Sequence, residues 1–173
     1  MGHHIGNLKK VAVIAAVIAI VLLAICFVVL GGKKGNAGYY NGDPWGMSYS
    51  DFSKKHPEAT PGGKENAYLI KGGQLADVPE VNEKLGQLTT IYYFDQDELK
   101  SVQVLLMLAG DTSSKCRSAI IEKYTDLYGE ASGEEGNSAY TSIYWNTDKT
   151  DITVNVLESV VLIDFTEKGY SLD

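Results

Sequence analysis

"LTTIYYFDQDELKSVQVLLMLA", Leu88 to Ala109, sets the architecture of this chain. Two apolar-rich runs, Leu88 to Phe94 and Leu99 to Ala109, flank Asp95, Gln96, Asp97 and Glu98, a four-residue turn of acceptors and charges. Such a pattern predicts an antiparallel hairpin. In the second run Val102, Val104, Leu106 and Leu108 recur at every second residue and so share one face of a strand. Leu105 and Met107 lie opposite, which predicts a central strand partly covered on both sides.

Downstream, "GDTSSKCRSAIIEKYTDLYGEAS" reads as a helix with its punctuation intact. Asp111, Thr112 or Ser113 caps it, and Cys116, Ala119, Ile120, Tyr124 and Leu127 form an apolar stripe. Gly129 suits the left-handed position that stops it. Three strands follow, Tyr140 to Trp145, Ile152 to Leu157 and Val160 to Thr166, joined by "NTDKTD" and "ES". Ile152, Val154 and Val156 alternate with Thr153 and Asn155, the pattern of a sheet with one buried and one wetter face.

Upstream, Ala67 to Lys71 reads as a short strand, and Leu75 to Leu85 fits either a short strand or a helical turn. "WGMSYSDFSKKHP", Trp45 to Pro57, opens the domain. Ser48 caps a helix by accepting the Asp51 N–H, the Asp51 carboxylate reaches back, Met47 and Phe52 form a hydrophobic staple, and Pro57 stops the helix at His56. Helix then strands occurs twice, over 48–109 and 112–166, and suggests a structural duplication. The expected fold class is α+β: an antiparallel sheet of about five to six strands with two helices packed on one face, after an N-terminal transmembrane helix.

That transmembrane expectation rests on Val11 to Leu30, "VAVIAAVIAIVLLAICFVVL", twenty residues without charge or proline. As a helix it would span roughly 30 Å, a bilayer core. It exceeds the apolar region of a signal peptide and no small-x-small cleavage pattern precedes Gly31. Ile25 before Cys26 departs from a lipoprotein signal, where a small residue is required. The expected organisation is a cytoplasmic leader (1–10), a transmembrane helix (11–30), a flexible linker (31–44, "GGKKGNAGYYNGDP") and an extracytoplasmic domain (45–173). The protein is thus expected in a cell membrane, single-pass, anchored through residues 11–30.

All 22 acidic residues lie after Lys34 against eleven of the 15 basic ones. A domain of that balance is repelled by nucleic acid, so no nucleic-acid partner is expected. Cys116 is the sole cysteine after Cys26 and reads as a buried apolar residue.

Chemistry-bearing motifs are few. His56 is the domain's sole histidine, and without a second histidine or a thiol pair it points to the helix terminus and its dipole, away from metal ligation. Asp95, Asp97 and Glu98 crowd one turn but lack calcium-loop spacing and its glycine; Asp148 and Asp151 read alike. "PGGKEN" around Lys64 lacks the strand-to-helix setting and Lys-Ser/Thr ending of a phosphate loop. No base stands beside a serine to form a triad. No catalytic residue, metal or cofactor is therefore expected. Eleven tyrosines remain, and Tyr92, Tyr93, Tyr140, Tyr144 and Trp145 are the candidate ligand-binding residues, since aromatic rings with polar tips suit binding surfaces.

"WGMSYSDF", the helix ending "YGEAS" and the meander "YTSIYWNTDKTDITVNVLESVVLIDFTEK" together resemble small bacterial envelope domains with the fold shared by the outer-membrane assembly lipoprotein BamE (SmpA/OmlA) and the β-lactamase inhibitor protein. Gly46, Met47 and Ser48 match the Gly-Met-Ser/Thr opening of those families. The chain departs in its membrane span, its lack of disulfides and its "HPEATP". The resemblance implies fold and an envelope setting, and transfers no partner. The expected function is a membrane-anchored, non-catalytic extracytoplasmic module that binds an envelope protein. The alternative is a carbohydrate or cell-wall ligand module that stacks sugars on tyrosine and Trp145.

Overall fold

The Leu88–Ala109 hairpin lies at the middle of a larger sheet. A computed structural model of the chain describes residues 38–75, 78, 81, 85–108, 113–137 and 140–171. The elements are β1 (Tyr39–Tyr40), β2 (Asp43–Pro44), α1 (Tyr49–Lys55), β3 (Thr60–Pro61), β4 (Ala67–Lys71), β5 (Leu85–Asp95), β6 (Glu98–Leu108), α2 (Ser113–Tyr128), β7 (Gly133–Gly136), β8 (Tyr140–Asn146), β9 (Thr150–Leu157) and β10 (Val160–Glu167). β1 and β2 form a small hairpin, and the other eight strands form one sheet in the order β3-β4-β5-β6-β10-β9-β8-β7. Every pairing is antiparallel. Each half of the chain thus supplies a helix followed by four strands, and the halves join where their last strands pair, Val102 opposite Phe165 and Val104 opposite Ile163.

Register sorts the side chains. Tyr68, Tyr92, Val102, Phe165, Ile152 and Trp145 stand directly opposite one another across successive strands. Opposed residues share a face, and all of this row except Tyr68 is buried. Phe52 of α1 packs on Tyr92 and Phe94, with ring centroids 4.7 and 5.2 Å away. Tyr124 of α2 meets Trp145 and Phe165 at 5.7 and 6.0 Å. Both helices therefore cover the same face. Tyr40 from the small hairpin touches Phe165 and Tyr92 between them.

The sheet corrects the expected fold class, because it has eight strands instead of five to six. The additional strands, β3 and β7, are its two edges, and every residue in them is exposed. A strand with no buried side leaves no apolar alternation to read. Two further differences are local. The hairpin turn is two residues, Gln96 and Asp97, with φ of 49° and 67°, so β5 ends and β6 begins one residue further into the turn than expected. Within 31–44, Tyr40 and Asp43 are buried, so the folded unit begins before Trp45. Asn41 and Gly42 make its turn with φ of 47° and 84°.

Local signals elsewhere hold. Ser48 caps α1 and accepts the Asp51 N–H at 3.2 Å, and α1 ends at Lys55 with His56 as C-cap. The Asp51 carboxylate accepts from Lys54 Nζ at 3.0 Å, and the Lys54 bond and charge, then the Ser48 hydroxyl, lower its pKa. Asp97 adds a second cap, accepting the Tyr49 N–H at 3.2 Å from across the fold. Leu75, Val78 and Val81 are buried, and the Val78 N–H donates to Leu75 O and the Val81 N–H to Val78 O, the i to i+3 spacing of helical turns. Among the described residues no helix is long and apolar enough to cross a membrane. The transmembrane helix expected at 11–30, its leader and residues 31–37 of the linker lie outside the described residues.

Candidate binding face

The second face of the sheet carries the rows that alternate with the buried ones. One row is Ile91, Gln103, Asp164, Thr153 and Tyr144, running from β5 to β8. The next holds Thr89, Leu105, Leu162, Asn155 and Ser142. At the end of the strands Met107 pairs with Val160 and Tyr140 with Leu157, while Leu157 and Val160 flank the Glu158–Ser159 turn. Met107, Leu157 and Tyr140 are 46%, 44% and 43% exposed. They are three of the four large exposed hydrophobics among the described residues, gathered at one end of one face.

Several polar groups of this face are tied down by direct partners. Ser142 donates to Asn155 Oδ1 at 2.6 Å, Tyr144 donates to Glu135, and Asp151 is paired by Lys168. The Glu135 bond to the Tyr144 phenol raises its pKa. Asp164 is held by an amide only: Gln103 Nε2 donates to its Oδ1 at 2.7 Å. Burial lifts the Asp164 carboxyl above the usual carboxylate range, and the Gln103 bond opposes that shift without cancelling it. Burial, then the charge of Asp164, raises the Tyr93 phenol.

The five residues singled out from the sequence divide between the faces. Tyr93, Tyr140 and Tyr144 lie on the open one, in three different rows. Tyr92 is 2% exposed and belongs to the covered one, where burial first and the Asp43 carboxylate second push its phenol far above the usual value. Trp145 is 1% exposed and donates Nε1–H to Gly129 O at 3.0 Å. Period two separates Tyr92 from Tyr93 and Tyr144 from Trp145, but it does not say which side the helices occupy. Gln103, Met107, Leu157 and Asp164 went unread as site residues; the sequence signal for Asp164 is a carboxylate inside the apolar run "VVLIDF".

A second cluster lies on the covered side. Asp43, fully buried, accepts from Lys55 Nζ at 2.5 Å and faces His56 Nε2 at 3.0 and 3.2 Å. His56 Nδ1 faces Glu58 at 3.4 Å, so both ring nitrogens are engaged. A general base needs a ring nitrogen directed at a substrate proton, and this ring directs both at carboxylates. The cluster ties the small hairpin to α1. Among the described residues no group of three or more His, Cys, Asp or Glu could hold a metal ion. Among the described residues, shallow clefts of about 420 Å³ lie beside Trp45 and Lys149 and of about 540 Å³ along Glu134 to Asn137. Neither meets the open-face row of Asp164. No family model, no curated protein and no solved structure matches this chain.

Proposed function

We propose that the protein is a membrane-anchored, non-catalytic binding module, held outside the cytoplasm, that engages an envelope protein through the open face of its sheet. The observation that carries this reading is the concentration of Met107, Leu157 and Tyr140 at one end of a face that no described helix covers. A contiguous exposed apolar patch marks an interaction surface, whereas scattered exposed hydrophobics do not. The sheet edges favour the face over strand addition. β3 is two residues long and includes Pro61, and β7 is Gly-Glu-Glu-Gly, both features that blunt edge pairing. The apolar run at 11–30 supports the anchor. The carbohydrate reading loses its tryptophan, since Trp145 lies in the core.

Site-specific photocrosslinking in intact cells tests it. A crosslinker at Leu157 of the full chain gives a discrete protein adduct, while one at exposed Glu122 on α2 does not. Adducts from both positions, or from neither, end the reading. Protease added outside intact cells cleaves the domain if the orientation is as proposed, and spares it otherwise.

A further inference from the structure

Asp164 occupies β10, a strand paired on both sides, at the centre of the open face. Aspartate is disfavoured in strands, and here it is partly desolvated with a single amide donor, Gln103. Among the described residues no lysine, arginine or histidine forms an ion pair with it, although the neighbouring Asp151 has Lys168. Its one side-chain bond goes to its cross-strand partner Gln103, which leaves the charge itself without a counter-ion among the described residues. Its surroundings complete a receptor. Thr153, short and directly opposite, separates Asp164 from Tyr144 in the same row, and Tyr93 is close enough to sense the Asp164 charge. A cation seated over Thr153 would meet one carboxylate and a tyrosine ring, each of which attracts it.

From these positions we infer that the protein partner inserts a cationic side chain, arginine or lysine, against Asp164 while apolar side chains cover Met107, Leu157 and Tyr140. This rests on the function proposed above and specifies the partner's chemistry. The apolar end of the face lies about four residues along the strands from Asp164, roughly 13 Å at the strand rise. The partner therefore presents a positive charge and an apolar patch at that separation. Charge supports the assignment: with 22 acidic and eleven basic residues after Lys34, the domain attracts a cationic partner and disfavours a second copy of itself.

The test uses a random peptide library displayed against the full chain in detergent micelles, depleted beforehand on the Leu157→Asp variant. The strongest peptide is synthesised with arginine and with its uncharged isostere citrulline, and titrated by fluorescence anisotropy. Asp164→Asn preserves the acceptor for Gln103, and circular dichroism checks that it folds. The expected results are cationic peptides, a loss of about tenfold to a hundredfold from either Asp164→Asn or citrulline, and little further loss when the two are combined. Peptides lost on Leu157→Asp but indifferent to Asp164→Asn overturn the cation site and leave the binding face standing. Binders indifferent to both, or no binders, overturn both readings. Self-association of the labelled chain abolished by Leu157→Asp assigns the face to a second copy and overturns the inference.

Discussion

Asp43 shows how much one side chain can depend on partners remote in sequence. With no exposed surface, its carboxylate is held by Lys55 and His56, twelve and thirteen residues away. Removing the acceptor strands His56 in a nearly enclosed place while Lys55, half exposed, returns to water. Asp43→Ala is expected to cost about 1.5–3 kcal/mol, read by urea denaturation. An unchanged midpoint would show that the cluster contributes nothing to stability. Asp164 behaves in the opposite sense. Burial raises its folded-state carboxyl, so the folded chain holds that proton more tightly than the unfolded chain. Its contribution to stability is therefore lost as pH rises from the ordinary carboxylate range through the raised value. Asp164→Asn should match the wild type in acid and melt higher at neutral pH. A variant that melts lower at neutral pH would contradict this.

Elements in this protein begin and end on interactions of two kinds. Ser48 and Gly129 act within three or four residues, capping α1 and stopping α2, and both were legible from spacing alone. Gly46 precedes α1 with φ of 80°, a conformation that costs an L side chain about 1–2 kcal/mol, so Gly46→Ala should destabilise by that amount in thermal melts. Asp97 belongs to the second kind. It caps α1 from the β5–β6 turn, and the stitching continues with Gly46 N–H to Leu99 O and Leu99 N–H to Met47 O, each 2.9 Å. No local pattern announces such a cap. The Asn41–Gly42 turn carries an Asn-Gly hairpin signal that the flexible-linker reading of 31–44 passed over, because strands of two residues on either side give it no alternation to support. The edge strands β3 and β7 were hidden for the same reason.

Beyond its small β1–β2 hairpin, the described domain is two helix-and-four-strand halves fused at β6 and β10. Ile163 lies opposite Val104 across that joint and opposite Val154 on the other side, fully buried. Ile163→Ala is expected to cost about 2–5 kcal/mol and to lower one cooperative transition, because the joint is core to both halves. Two resolved transitions in calorimetry would show that the halves melt independently. By contrast Leu157→Asp, on the open end of the face, should change stability by only about 0.5 kcal/mol while abolishing the partner adduct.

Periodicity and capping residues settled from the sequence alone which residues of each long strand share a side, where α2 runs, and that Ser48 caps α1, because these depend on neighbours within a few residues. The sequence also supplied the apolar run and the acidic balance from which anchoring and partner charge are argued. Only the tertiary structure decided which side the helices cover, and with it that Tyr92 and Trp145 are core while Tyr93, Tyr140 and Tyr144 face out. It alone placed Asp164 beside Thr153 and Gln103, and Asp43 beside His56. Those placements follow from strand order and from helices crossing one face, contacts between residues dozens of positions apart that no local pattern encodes.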